Sequence, residues 1–106
     1  MSLKWPSKDP DEVLDYSIDW SRFLANNETI ETVTWFIDVD GVKTQWLDGA
    51  VHSGIQNIST TNTTKISTIY LGMGTPNTTY KITCRISTST TVITERVVRI
   101  KIRDHY

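Results

Sequence analysis

The sequence predicts an all-β domain, a sandwich of about seven short strands preceded by an extended N-terminal segment. Three observations carry that expectation. The chain holds 17 Thr, 12 Ile and 8 Val against 2 Ala and 5 Leu, and β-branched side chains suit a pleated surface and are weak helix formers. Apolar residues recur at every second position in several stretches, the period of a half-buried strand. Turn signals separate those stretches every 8–12 residues or so, roughly the spacing found in sandwiches.

A chain of 106 residues has the length of one domain and buries enough surface for a single core. That length excludes a two-domain enzyme with separate cofactor and substrate domains. Hydrophobic residues make up 38% and charged residues 22%, a globular rather than a disordered composition. The expected division is an extended arm over residues 1–12 and a sandwich over residues 13–106.

Within the arm stand Pro6 and Pro10, and proline pushes its preceding residue toward extended backbone. Trp5 precedes one of them, and so large an apolar ring either folds onto its own domain or docks on a neighbour. From Leu14 the pattern alternates, with Tyr16, Ile18 and Trp20 on one face and Asp15, Ser17 and Asp19 on the other. Ser21 to Asn27 interrupts it. Ile30 to Val39 resumes with Val33, Trp35 and Ile37 inward, and Asp40-Gly41 is a hairpin-type turn. Val42 to Gly54 is irregular. Ile55–Ser59 and Lys65–Leu71 are further strands, and Gly72 to Asn77 is the strongest turn signal in the chain. Tyr80, Ile82, Cys84 and Ile86 then alternate with Lys81, Thr83 and Arg85. A last strand sets Val98, Ile100 and Ile102 against Arg99, Lys101 and Arg103.

The net charge is −1, so no global field draws the chain to nucleic acid or to an anionic membrane. The apolar stretches fall short of the ~20 residues of a bilayer span, and Met1 to Pro6 lacks the apolar core of a signal peptide. The charge is nonetheless lopsided: ten acids and four bases in residues 1–53, against two acids and seven bases in residues 54–106. Neutralisation within one molecule accounts for the split, and head-to-tail attraction between copies is the sharper alternative.

Residues with chemical potential are scattered. Asp38-Val39-Asp40-Gly41 matches part of a calcium loop but lacks its late glutamate, so a hairpin explains it better. His52, His105 and Cys84 are isolated and lack zinc-ligand spacing. Cys84, alone of its kind, makes no internal disulfide and on the inward side of a strand acts as a small hydrophobe. No nucleophile elbow, phosphate loop or paired acid and base emerges. The expectation is a non-enzymatic protein with no catalytic residues, no metal and no cofactor. Four sequons, at Asn27, Asn57, Asn62 and Asn77, arise cheaply in a chain with 26 Ser and Thr.

Two stretches carry a resemblance. Gly74-Thr75-Pro76-Asn77-Thr78-Thr79-Tyr80-Lys81-Ile82-Thr83-Cys84-Arg85-Ile86 is similar to the E–F turn and F strand of immunoglobulin-like and fibronectin-III-like sandwiches. There a tyrosine hydroxyl anchors the preceding corner. Tyr80 stands four residues before Cys84 rather than two and no partner cysteine exists, which excludes an antibody-type domain. Lys8-Asp9-Pro10-Asp11-Glu12-Val13-Leu14-Asp15-Tyr16-Ser17-Ile18-Asp19-Trp20, with Leu24, Thr29-Ile30, Trp35 and the strand Tyr80 to Thr88, resembles small structural proteins of tailed bacteriophages and prophages. That resemblance implies an Ig-like sandwich and a virion part of the tail-fibre or head–tail adaptor type. It further implies other virion proteins as partners; synthesis in the bacterial cytoplasm is the default for a chain that opens on no signal peptide and carries one cysteine.

Docking by backbone pairing of the arm or an edge strand, with aromatic anchors, is the expected mechanism. The candidate protein-interaction residues are Trp5, Asp11, Glu12, Lys81, Arg85, Arg99, Lys101 and Arg103. The five bases share an outer sheet face if their strands form a hairpin. A homo-oligomer is compatible with the charge split, a membrane partner is not expected, and nucleic acid is disfavoured because no aromatic residues interleave the basic stripe. The rival function is a carbohydrate-binding or adhesion module in which Trp46 and nearby aromatics form a sugar platform. A secreted eukaryotic domain using the sequons is a further alternative.

Overall fold

The computed structural model describes residues 2–103, with side chains from Lys4 onward. His105, set aside above as a metal ligand, lies outside the described residues. Nine strands occupy the described chain: β1 (Ser2–Lys4), β2 (Leu14–Asp19), β3 (Ile30–Val39), β4 (Val42–Gln45), β5 (Val51–His52), β6 (Ile55–Asn62), β7 (Ile66–Met73), β8 (Thr79–Thr88) and β9 (Ile93–Lys101). They form two sheets, in the orders β1-β9-β8-β3-β4 and β2-β7-β6-β5. The all-β sandwich is as the composition predicts. The two strands beyond the expected seven are β1 and the two-residue β5. No helix among the described residues is long and apolar enough to cross a membrane.

Alternation decides which side chains face the gap between the sheets. Tyr16 and Ile18 from β2, with Ile69 and Leu71 from β7, meet Trp35 and Ile37 from β3 and Ile82, Cys84, Ile86, Val98 and Ile100 from β8 and β9, all buried. Burial pushes the Cys84 thiol up to about 12, although the Ser67 hydroxyl 3.3 Å away lowers it slightly. The Asp40-Gly41 turn closes the β3–β4 hairpin opposite the Val39↔Val42 pair, with φ of 52° and 82°. Two positive φ values in succession are what a type I′ turn requires. Tyr80 forms the expected corner: its hydroxyl accepts from the Thr75 N–H at 3.0 Å and donates to the Ser53 carbonyl at 2.6 Å.

Two polar anchors hold the ends of the sandwich. Glu28 ties the 21–29 turn to the β8–β9 turn: its carboxylate accepts from Thr88 Oγ1 at 2.6 Å, from Thr90 Oγ1 and from the Ala25 N–H at 3.0 Å. The Thr88 hydrogen bond, with those from Thr90 and Ala25, lowers its carboxyl to about 2. At the other end Lys8 is fully buried, its Nζ donating to the carbonyls of Asp9 and Met73, both at 2.7 Å. Desolvation lowers the Lys8 pKa, opposed by the nearby Glu12, Asp9 and Asp11 carboxylates.

The N-terminal segment, expected as an arm preceding the sandwich, contributes to the sheet ladder. β1 runs parallel to β9 with Lys4 opposite Arg99, and Lys8 bridges Ile102 farther along. Trp5 turns inward at 8% exposure, stacking on Tyr16 with ring centroids 4.9 Å apart and lying 6.3 Å from Trp35. The reason is areal. Covering Trp5 within its own core removes a large apolar surface from water without a partner.

Candidate functional site

The outer faces of the two sheets differ in chemistry. On the five-stranded sheet, the register sets Lys4 beside Arg99 and Arg99 beside Lys81, so three cations lie in one row across β1, β9 and β8. Like charges directly opposite one another destabilise a sheet. Lys101 follows on the same face, two residues after Arg99, and exposed Arg103 lies just beyond the end of β9. None of these five bases makes an ion pair with a described residue.

Arg85 departs from the expected stripe. It shares the face, but its guanidinium lies 2.6 Å from Glu95, which also binds Lys43 at 3.0 Å. Both cations lean over the Phe36 ring, at 4.8 Å for Arg85 and 5.1 Å for Lys43. The Lys43 hydrogen bond and the Arg85 contact together depress the Glu95 carboxyl, against a partial desolvation. Arg85 therefore has a carboxylate partner where Lys81, Arg99, Lys101 and Arg103 have none among the described residues. Sequence reasoning missed Lys4, whose place in the row depends on β1 pairing with β9.

Between Lys4 and Lys8 the first segment advances four residues while β9 advances three, from Arg99 to Ile102. The extra residue bows the backbone outward, and Pro6 brings no N–H to the ladder. Backbone bonds resume where the Lys8 N–H donates to Lys101 at 3.1 Å and the Arg103 N–H to Lys8 at 2.8 Å. The bow leaves an open groove of about 400 Å³ lined by Lys4, Trp5, Pro6, Ser7, Lys101 and Arg103.

The four-stranded sheet presents an apolar outer patch instead. A Cβ on Gly72 would stand 2.7 Å from Ile58 Cδ1 and 3.8 Å from Val13 Cγ2, so the missing side chain lets Ile58 lie across the strand. Ile58 falls at the bulge between Asn57 and Ser59. Val13, Ile58 and Tyr70 are all substantially exposed, with Asp15 opposite Tyr70.

The other three expected interaction residues stand apart from the basic row. Trp5 is a core residue and offers no ring to a partner. Asp11 and Glu12 belong to a tight turn in which the Glu12 carboxylate accepts from the Asp9 N–H at 2.9 Å and the Asp11 N–H donates to Asp9 Oδ1 at 2.8 Å. The sugar platform is not formed. Trp46 keeps only 2% of its surface exposed, and its Nε1 donates to the Ala50 carbonyl at 3.0 Å, so its ring faces cannot stack on a glycan. Among the described residues no group of three His, Cys, Asp or Glu is placed to hold a metal ion.

No curated protein matches the chain. The family model described as podophage GP4 fiber-tail adaptor protein gp77 matches residues 8–101, a span that takes in every strand from β2 to β9. By that match over most of its length, the chain belongs to that family of phage structural adaptors.

Proposed function

We propose that the protein joins tail fibre to tail in a podophage virion by docking on two virion proteins at once, one on each outer sheet face, without catalysing a reaction. The observation that carries this reading is the row Lys4–Arg99–Lys81, backed by Lys101 and Arg103, on one face and the Val13/Ile58/Tyr70 patch on the other. An adaptor needs two surfaces that do not compete, and surfaces of different chemistry select different partners. Family membership supports the fibre and the tail as those partners. The strand order supports an Ig-like sandwich: β9-β8-β3-β4 against β2-β7-β6 parallels the G-F-C-C′ and B-E-D sheets of that architecture.

Co-sedimentation of the purified chain with the fibre and tail proteins of its phage tests the proposal. Wild-type chain binds both. Lys81→Glu with Arg99→Glu loses one partner, and Ile58→Asp with Tyr70→Asp loses the other. Loss of both partners from either double variant, or wild-type chain that self-associates and binds neither, overturns it.

A further inference from the structure

We infer that the groove beside β1 is a carboxylate-binding cleft that receives an extended acidic segment of one of the two virion partners; this rests on the adaptor reading above. Three of its six lining residues, Lys4, Lys101 and Arg103, are cations, and no acid stands among the described residues that line it. Lys4 continues into the row with Arg99 and Lys81, so the cleft opens onto a basic face rather than standing alone. Neighbouring strands lie ~4.8 Å apart, well inside the ~8 Å Debye length at physiological salt. These exposed cations therefore repel one another, weakened but not abolished by solvent and salt, and folding gains nothing from gathering them. Elsewhere on the same sheet the cations have a carboxylate partner, as Arg85 and Lys43 have in Glu95. An anionic occupant relieves the repulsion.

The chemistry favours a peptide carboxylate over a nucleic acid. The one aromatic ring at the groove, Trp5, turns into the core and leaves no platform on which a base could stack. The chain as a whole carries −1, which supplies none of the long-range attraction that polyphosphates exploit. An Arg103 guanidinium grips a carboxylate through two parallel N–H donors, with Lys4 and Lys101 as point charges beside it. The bowed backbone at Trp5 to Ser7 gives an extended segment room to lie along the sheet edge.

The test is fluorescence anisotropy of a labelled hexaglutamate peptide titrated with the full chain at low ionic strength, with hexaglutamine and a single-stranded hexanucleotide as companion probes. Hexaglutamate is expected to bind and to release as salt rises, while hexaglutamine does not bind. The combined change Lys4→Glu, Lys101→Glu and Arg103→Glu weakens binding by at least ~10-fold. The same positions changed to Gln give an intermediate loss and guard against a folding defect. Arg22→Glu, in the turn after β2 whose Phe23 ring lies 5.6 Å from the Arg96 guanidinium on β9, leaves binding unchanged. Hexaglutamate affinity that survives the triple reversal, or tighter binding of the hexanucleotide than of hexaglutamate, overturns the inference. Co-sedimentation separates the two proposals. Wild-type chain that captures fibre and tail proteins, with a triple variant that captures both equally well, refutes the cleft and leaves the adaptor. Wild-type chain that captures neither refutes the adaptor, and the peptide titration still decides the cleft.

Discussion

Arg99 stands between Lys4 and Lys81 in the basic row, so Arg99→Glu converts two repulsive neighbours into two attractive ones. A cross-strand charge pair contributes about 0.2–1 kcal/mol, and exposed pairs fall toward the lower end of that range. Reversing the sign of both interactions therefore adds roughly 1 kcal/mol of stability at low salt, after allowance for solvent screening. For a domain of this size that raises Tm by about 4–8 °C. Arg99→Gln, which removes the repulsion without adding attraction, should gain about half as much. The assay is urea unfolding of the three proteins at low and at molar salt, followed by tryptophan fluorescence. The gain should shrink at molar salt, where the Debye length is ~3 Å. Equal midpoints for the three proteins at low salt, or a gain indifferent to salt, would show that the row carries no repulsion and remove the main physical reason for assigning it to a partner. A more stable variant that captures one fewer virion protein is the result expected of a surface kept at some expense to the fold.

Trp5→Ala should lower stability by about 3–5 kcal/mol, because the ring lies in the core against Tyr16; urea unfolding measures it, and a loss below about 1 kcal/mol would mean a peripheral ring. Tyr80→Phe keeps the ring but removes the hydroxyl that joins Thr75 to Ser53, and should lose about 1–2 kcal/mol by the same measurement. Glu28 is depressed to about 2 from an ordinary 4.5, so its stabilising contribution is complete above pH ~4.5 and is lost as pH falls through about 2. Unfolding midpoints measured across that window should drop in the wild type, and Glu28→Gln should be less stable at neutral pH and less acid-sensitive. Equal acid sensitivity of the two proteins would show that Glu28 is not the group responsible.

The strands that the sequence displays most plainly are those with one wet and one dry face. Leu14–Asp19, Ile30–Val39 and Thr79–Thr88 alternate because each lies in a sheet whose inner side meets the other sheet, and the period of two follows from backbone geometry alone. Asp40-Gly41 is readable for a similar reason: a two-residue hairpin needs positive φ at both positions, and the requirement is local. The Tyr80 corner is legible as far as the ring, since a buried phenol needs partners. Its acceptor, Ser53, lies on a distant loop that no local pattern names.

The docking surfaces divide in the same way. Alternation alone places Lys81, Arg99, Lys101 and Arg103 together, because β8 and β9 form one hairpin. It cannot remove Arg85 from that set, since the Glu95 carboxylate claims it only through the folded geometry shared with Lys43. Nor can it add Lys4 or withdraw Trp5. The segment before Lys8 is too short and too rich in proline to alternate, and its position follows from pairing with the far end of the chain. The apolar patch likewise needs Ile58 to lie across Gly72 from a neighbouring strand. Composition and period thus determine the fold class, the inward faces and the basic residues of β8 and β9, because these obey rules of neighbouring residues. Which cations stand beside one another, and whether an indole faces a partner or its own core, is decided only when strands remote in sequence come into register, where the burial of apolar area outweighs local preference.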